Sequence, residues 1–460
     1  MLLALLTLAC TSGTTGTGTD SVTPGHDTDT ATTTDPAPAC DALDTWADGL
    51  EPSRELHVAT TGSDTAGDGS SGSPFATLVH AVDQATPGTA VRVHAGSFGN
   101  AYLEDVYGTA DAPIWIGGAP GEEPPVLVGA SEGLHLSGGA WLVVHDLVID
   151  SARDNGVNFD DRGDYDDPEA LHHVIFQRLE VRDIGGDGNQ DCLKLSGLRD
   201  FHVLDSSFAD CGGGSSGSGV DMVGCHRGVI ARNHFTRTSG NAVQAKGGTD
   251  DVLLLWNRLV DAGARGFNLG GSTGTEFFRP PLDPEGENFE ARDLRAVGNW
   301  IEGSEASLAF VGCVDCSATH NTLVDPDKWL FRILQESVTD ADYSFLAAGG
   351  GAVMNNLVVF ARDAVSTDVN IGPDTDPDSF SWSHNLFYAS DAPGDSAPEL
   401  PGTVVGSLIG VDPGLDADGL IGPDSPAVGA GVSGTGVMGD RLGACYEEPP
   451  SIGSVEGADR

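Results

Sequence analysis

The phrase LKLSG (193–197) returns as VDMVG (220–224), VQAKG (243–247) and FNLGG (267–271). Apolar, polar and apolar residues in alternation read as a short strand, and the glycine that closes each phrase supplies a bend open to positive φ. Short strands returning at intervals of roughly two dozen residues are the mark of a solenoid. A second phrase runs in step: HDLVI (145–149), QRLEV (177–181), DSSF (205–208), RNHF (232–235), WNRL (256–259), GNWI (298–301), HNTL (320–323), NNLV (355–358) and HNLF (384–387). Anchored on Asp146, Arg178, Ser206, Asn233, Asn257, Asn299, Asn321, Asn355 and Asn385, its shortest step, Asn299 to Asn321, is 22 residues, which sets one plain coil; longer steps are loop insertions. Asparagine tolerates left-handed geometry and bonds nearby backbone, so its recurrence suits a turn repeated from coil to coil.

With 64 Gly and only 7% aromatics, the chain is poor material for a helical bundle and good material for short strands and tight turns. The unbroken repeat argues for one elongated β-helix over about residues 56–446, although 460 residues would allow several domains. An N-terminal cap is readable in GDGSSGSPFATLVHAVDQATPGTAVRVHAGSF (67–98). Ser73-Pro74 precedes a short amphipathic helix with Phe75, Leu78, Val79 and Val82 on one stripe. Pro87-Gly88 ends it, and Val91, Val93 and Ala95 begin the first strand.

That opening, together with the closing phrase DPGLDADGLIGPDSPAVGAG (412–431), resembles bacterial secreted right-handed parallel β-helix proteins of the pectate-lyase-like superfamily. The resemblance implies an all-β, right-handed parallel β-helix with a short capping helix, and is nearly silent on activity. Residues 1–10, MLLALLTLAC, resemble a lipoprotein signal cut before a lipid-accepting Cys10. The stretch 11–55, poor in apolar residues and rich in Thr, Gly, Ser, Asp and Pro toward its start, reads as a disordered tether, and 447–460 as a flexible acidic tail. Together these imply a monomer at the cell surface, touching the membrane only through its anchor.

A formal net charge of −47, from 69 acids and 22 bases, repels nucleic acid and anionic lipid, so neither is an expected partner. Only three lysines occur, Lys194, Lys246 and Lys328, and two of them fall in the aligned phrase. If the apolar residues of that phrase point inward, Asn158, Lys194, Asp221, Gln244, Asn268, Ala309, Arg332 and Asn370 stand outward in one column. Such a column is either a structural ladder of stacked polar groups or the floor of a sugar groove, with a new side chain about every 4.8 Å.

The resemblance implies a chemistry for the second choice: cleavage of acidic polysaccharide by β-elimination, with Lys or Arg taking the proton α to a carboxyl group. Chondroitinase B-like lyases carry the base in a phrase similar to LKLSG and an arginine one coil later. Lys194 matches the first, whereas the second place is Asp221. An ion pair between them would keep Lys194 charged, while a base must be neutral. Lys246, flanked in the alignment by Val223 and Gly270, is the less hampered base. The resulting assignment is Lys246 or Lys194 as base, Arg265 as carboxylate partner, and Asn158, Asp221, Gln244 and Asn268 as sugar binders. Asp191 resembles the Asp-containing strands of calcium-dependent family nine pectate lyases, which implies calcium, but the carboxylate cluster such a site needs is not assembled in the sequence. A glycan-binding protein without chemistry, and a rigid structural or adhesive spacer, fit the same repeat.

Two insertions flank this face. STGTEFFRPPLDPEGENFEARD (272–293) brings Phe277, Phe278 and Arg279, as sugar-stacking groups or as a loop packing its own aromatics; DRGDYDDPEA (161–170) reads as a solvated acidic turn. His172 and His173, adjacent in a strand, should face opposite ways. Without Cys10, seven cysteines remain, and Cys313 and Cys316 pair best as a local CVDC clasp.

Overall fold

The computed structural model describes Cys40 and residues 42–457 except 130, 187 and 215; the signal segment, Cys10 and most of the expected tether lie outside the described residues. The described chain winds as a β-helix with three parallel strands per coil. In one coil these are Leu193–Ser196, Arg199–Leu204 and Ser207–Cys211. Each pairs in parallel with its counterpart in the next coil, giving three ladders along the molecule. We call them the first, second and third ladders in chain order.

Alternation decides which residues enter the core. Leu193 and Leu195, Val220 and Met222, and Phe267 and Leu269 are buried from the first ladder. The second phrase forms the third ladder, where Ile149, Val181, Phe208, Phe235, Leu259, Ile301, Leu323, Val358 and Phe387 stack in one interior column, in register throughout. Burying a large apolar side chain contributes about 1.5–3 kcal/mol, so this column repeats a moderate gain at every coil.

The corner before the third ladder corrects the role given to asparagine. The left-handed residue there is Asp146, Arg178, Asp205, Arg232, Trp256, Gly298, His320, Asn355 or His384, with φ between +51° and +63°. Of the anchors read from sequence, Asp146, Arg178 and Asn355 belong to this turning position and the others to the next. That next position holds Asn233, Asn257, Asn299, Asn321, Asn356 and Asn385, all buried. Each side-chain amide donates to the one below at 2.8–3.0 Å. Each Oδ1 from Asn257 onward also accepts the backbone N–H of the asparagine above. The asparagines are present for their amides, and the turn is made one residue earlier.

The capping helix is Leu78–Asp83, with Thr77 accepting from the His80 N–H at its start; Phe75 is buried but precedes the helix. Two expectations about the ends are overturned. Leu43, Trp46, Ala47 and Leu50, placed in the tether, pack on Trp115, Val143, Ile175 and Leu204 of the second ladder. Residues 447–457 are no free tail, because Ser451, Ile452 and Ser454 are fully buried and Ile452 packs with Leu357 and Leu386. Cys40 is joined to Cys445 and Cys192 to Cys211, while Cys313 pairs with Cys316 as expected; Cys225 is a buried free thiol. His172 and His173 do not face apart: His173 takes φ +51°, which breaks the alternation and brings the two Nδ1 atoms to 2.8 Å.

Candidate functional site

The outward column of the first ladder exists as expected. Asn158, Lys194, Asp221, Gln244, Asn268, Ala309, Arg332 and Asn370 are direct partners from rung to rung, and Tyr102 and His135 extend the column toward the N-terminus. A second outward column runs beside it, through Glu104, Ser137, Asp160, Ser196, Val223 and Lys246. Lys246 aligns with Val223, but its expected neighbour Gly270 is displaced. The register shifts between Gln244 and Ala245, so Gly270 lies opposite Ala245.

The column is not an open surface. Asp221 and Asn268 are fully buried and Gln244 nearly so, leaving Lys194 and Lys246 partly exposed above them. The cover comes from the insertions. Arg279 of the longer loop binds Asp161 of the shorter one through Nε and Nη2, at 2.5 and 3.1 Å, and stacks on Tyr165 at 4.0 Å. Asp161 is therefore a buried anchor and no solvated turn residue. Gly197 and Gly224 allow this clasp, since a Cβ on either would collide with Asp161 or Arg279. Phe278 is buried and meets Phe345, whereas Phe277 is half exposed and lines the cleft.

Beneath the loops lie two adjoining cavities of about 470 and 460 Å³. Asn189, Lys246 and Ser272 line both. Lys194, Phe277 and Arg279 belong to the first, and Gln244, Arg265, Asn268 and Glu336 to the second.

The charges at their junction form one cluster. Lys194 Nζ hydrogen-bonds Asp221 Oδ2 and lies 3.6 Å from Asp191 Oδ2, and Lys246 Nζ lies 3.7 Å from the same Asp221 oxygen and 3.3 Å from Gln244 Oε1. Burial opposes ionisation of Asp221, but the ammonium groups of Lys194 and Lys246 outweigh it and hold the carboxyl below its ordinary range. Burial, reinforced by the Asp221 charge, pushes Asp191 up to about 7. Burial alone would favour neutral Lys194, yet Asp221 and Asp191 prevail and raise its pKa. Asp191 Oδ2, Asp221 Oδ1 and Asn268 Nδ2 are buried without a hydrogen-bond partner among the described residues. Arg265 reaches over the same floor, donating to Asn268 Oδ1 at 3.0 Å and to Glu336 Oε1 at 2.7 Å.

Calcium does not fit this arrangement. It takes six to eight oxygen ligands, whereas the two carboxylates here are both engaged by Lys194. No group of three or more His, Cys, Asp or Glu among the described residues is placed to hold a metal ion. Glu336, Asn189 and Glu290 were not foreseen. Glu290 is fully buried and accepts from the N–H groups of Gly247 and Thr273, pinning the long loop over the site. These residues lie outside the repeated phrases, in the loops between them.

No family model and no curated protein matches the sequence. Solved structures do. Pectate lyase Pel9A superposes with a TM-score of 0.51 at 15% identity, over 90% of this chain and all of the other. XylC in complex with xylose gives 0.53 at 11% identity, over 88% and 99%. The chain shares the right-handed parallel β-helix fold with these two structures. At such identity the likeness is one of fold.

Proposed function

We propose that the roofed cleft binds an acidic polysaccharide and cleaves it by β-elimination, with Lys246 as base. The observation that carries this reading is the convergence of two of the chain's three lysines, with Arg265 nearby, in a protein of net charge −47. Positive side chains gathered in so acidic a molecule favour a polyanion at that place. Lys194, bound by two carboxylates, keeps its proton and serves as fixed positive charge. Lys246 stands where both cavities meet, is held less closely by Asp221 than Lys194 is, and in its neutral form takes the proton α to the sugar carboxylate. The C–H electrons form the C4–C5 double bond, the glycosidic C–O bond breaks, and the departing oxygen takes up a proton. Arg265 neutralises the substrate carboxylate, exchanging Glu336 for it. Asn158, Asp221, Gln244 and Asn268 orient the sugars, Asp221 mainly through the two lysines. The names of the two structural neighbours, one a pectate lyase and the other a xylose complex, accord with a carbohydrate ligand.

The test is the ultraviolet absorbance of unsaturated product from pectate, alginate and glycosaminoglycans. Lys246→Ala should lose at least about a hundredfold in rate, the usual scale of general base catalysis, with the fold retained. Full activity in this variant removes Lys246 from the mechanism. Binding without product would favour a second reading, a glycan-binding surface protein, which the polar lining of the second cavity by Asn189, Gln244, Arg265 and Asn268 supports. On either reading the protein is displayed at the cell surface through lipid on Cys10. The mass of the mature N-terminal peptide tests that, and an unmodified Cys10 would refute it.

A further inference from the structure

The first ladder's polar column continues past the roofed cleft to Asn158, His135 and Tyr102, three rungs or roughly 14 Å from Lys194. Tyr102 is 51% exposed although its ring rests on the His135 imidazole, with centroids 4.2 Å apart and planes 32° from parallel. His135 cannot turn freely beneath it, since Nδ1 meets Glu132 Oε2 at 2.5 Å and Nε2 meets Asp160 Oδ2 at 2.8 Å. Glu132 also accepts from Asn158 at 3.0 Å, which joins this group to the column leading to Lys194.

We propose that Tyr102, seated on His135, is a second sugar subsite that takes an uncharged pyranose ring of the same glycan that enters the cleft. The inference rests on reading the cleft as a glycan site. A flat aromatic ring held from below offers stacking area at little cost in side-chain entropy, which is what a sugar ring needs. Charge selects which ring. The carboxylates of Asp160, Glu104 and Glu132 surround Tyr102 and outnumber the one imidazole, so a uronate is disfavoured there, while Lys194, Lys246 and Arg265 favour one in the cleft. The groove therefore reads a polymer in which acidic and neutral sugars occur together, and at roughly one sugar per rung it needs more than four units to fill both places.

Calorimetric titration of the full chain with chondroitin tetra- and octasaccharides, which alternate uronate with N-acetylhexosamine, and with oligogalacturonates of the same lengths tests this. The chondroitin octasaccharide should bind about tenfold more tightly than the tetrasaccharide, and the galacturonate series should show no such gain. Tyr102→Ala should abolish the gain and leave tetrasaccharide affinity and the melting temperature unchanged, whereas Tyr102→Phe should preserve it. A length gain that survives in Tyr102→Ala, or an equal loss for both lengths, overturns the subsite and leaves the cleft untouched. If the unmodified protein binds none of the four oligosaccharides, the reading of the cleft fails and the subsite fails with it.

Discussion

Two stacks of polar residues run along this molecule, and their difference separates architecture from a candidate site. The asparagine stack at the third corner is saturated: within it each amide donates to the next coil, and each oxygen accepts from the coil above. The first ladder's column is not. Asp221 Oδ1, Asn268 Nδ2 and the neighbouring Asp191 Oδ2 are buried with no hydrogen bond among the described residues, and the charges there are held by one another. A buried polar group without a hydrogen-bond partner costs about 1–3 kcal/mol, so a stack that keeps two of them, on Asp221 and Asn268, gives up stability that the other stack retains. Repetition alone cannot distinguish the two, and satisfaction of their hydrogen bonds can.

The comparison can be broken most sharply at its saturated end. Asn299→Ala removes hydrogen bonds to Asn257, Leu254 and Asn321 and strands their buried groups, so denaturant unfolding should show a loss of about 4 kcal/mol. A loss below about 1 kcal/mol would mean that the ladder is not what holds the corner. At the other stack, Lys194→Met removes the lysine hydrogen-bonded to the buried Asp221, leaves it only Lys246 at 3.7 Å, and should cost about 3 kcal/mol. Adding Asp221→Leu should return most of that, because a buried ion pair can be exchanged for apolar packing. Failure of the double variant to recover would make the pair a structural necessity.

The smallest effect is a pH dependence. Burial opposes charge on His135, but Asp160 and Glu132 outweigh it and raise its pKa from 6.5 to about 9. The folded state then binds a proton that the unfolded state releases, so the contribution is complete below pH 6.5 and disappears as pH rises through 9. Melting temperatures of the wild type and His135→Gln should therefore converge over that interval. Parallel curves would show that the imidazole carries no such charge.

Much of this was legible in the chain. All eight positions of the column, Asn158 to Asn370, were aligned in their observed register, because alternation ties register to burial and a slip by one residue would turn every side chain around. The exceptions are local breaks in alternation: the shift after Gln244 that moves Gly270, and the left-handed His173. Nothing in the letters tells Asn355 from Asn356, yet Asn355 takes φ +55° and makes the turn while Asn356 joins the amide stack. The roof was illegible for another reason. Asp161 and Arg279 are 118 residues apart and lie in loops with no period, so nothing in the repeat announces that they meet. Tyr102 and His135 lie in AYLEDVY (101–107) and LHLSG (134–138), ahead of the closely spaced phrases that mark the column in the sequence.

The bond between Cys40 and Cys445 has a mechanical consequence. Tension arriving from the stretch before Cys40 need not peel the first coil away, because the covalent path divides there. Part of the load passes to the returning C-terminal strand of chain, whose Gly439 carbonyl is held by Trp256 near the middle of the solenoid. A pull at one end is thereby shared between the first coil and coils near the middle of the stack, so that no single coil has to bear it alone.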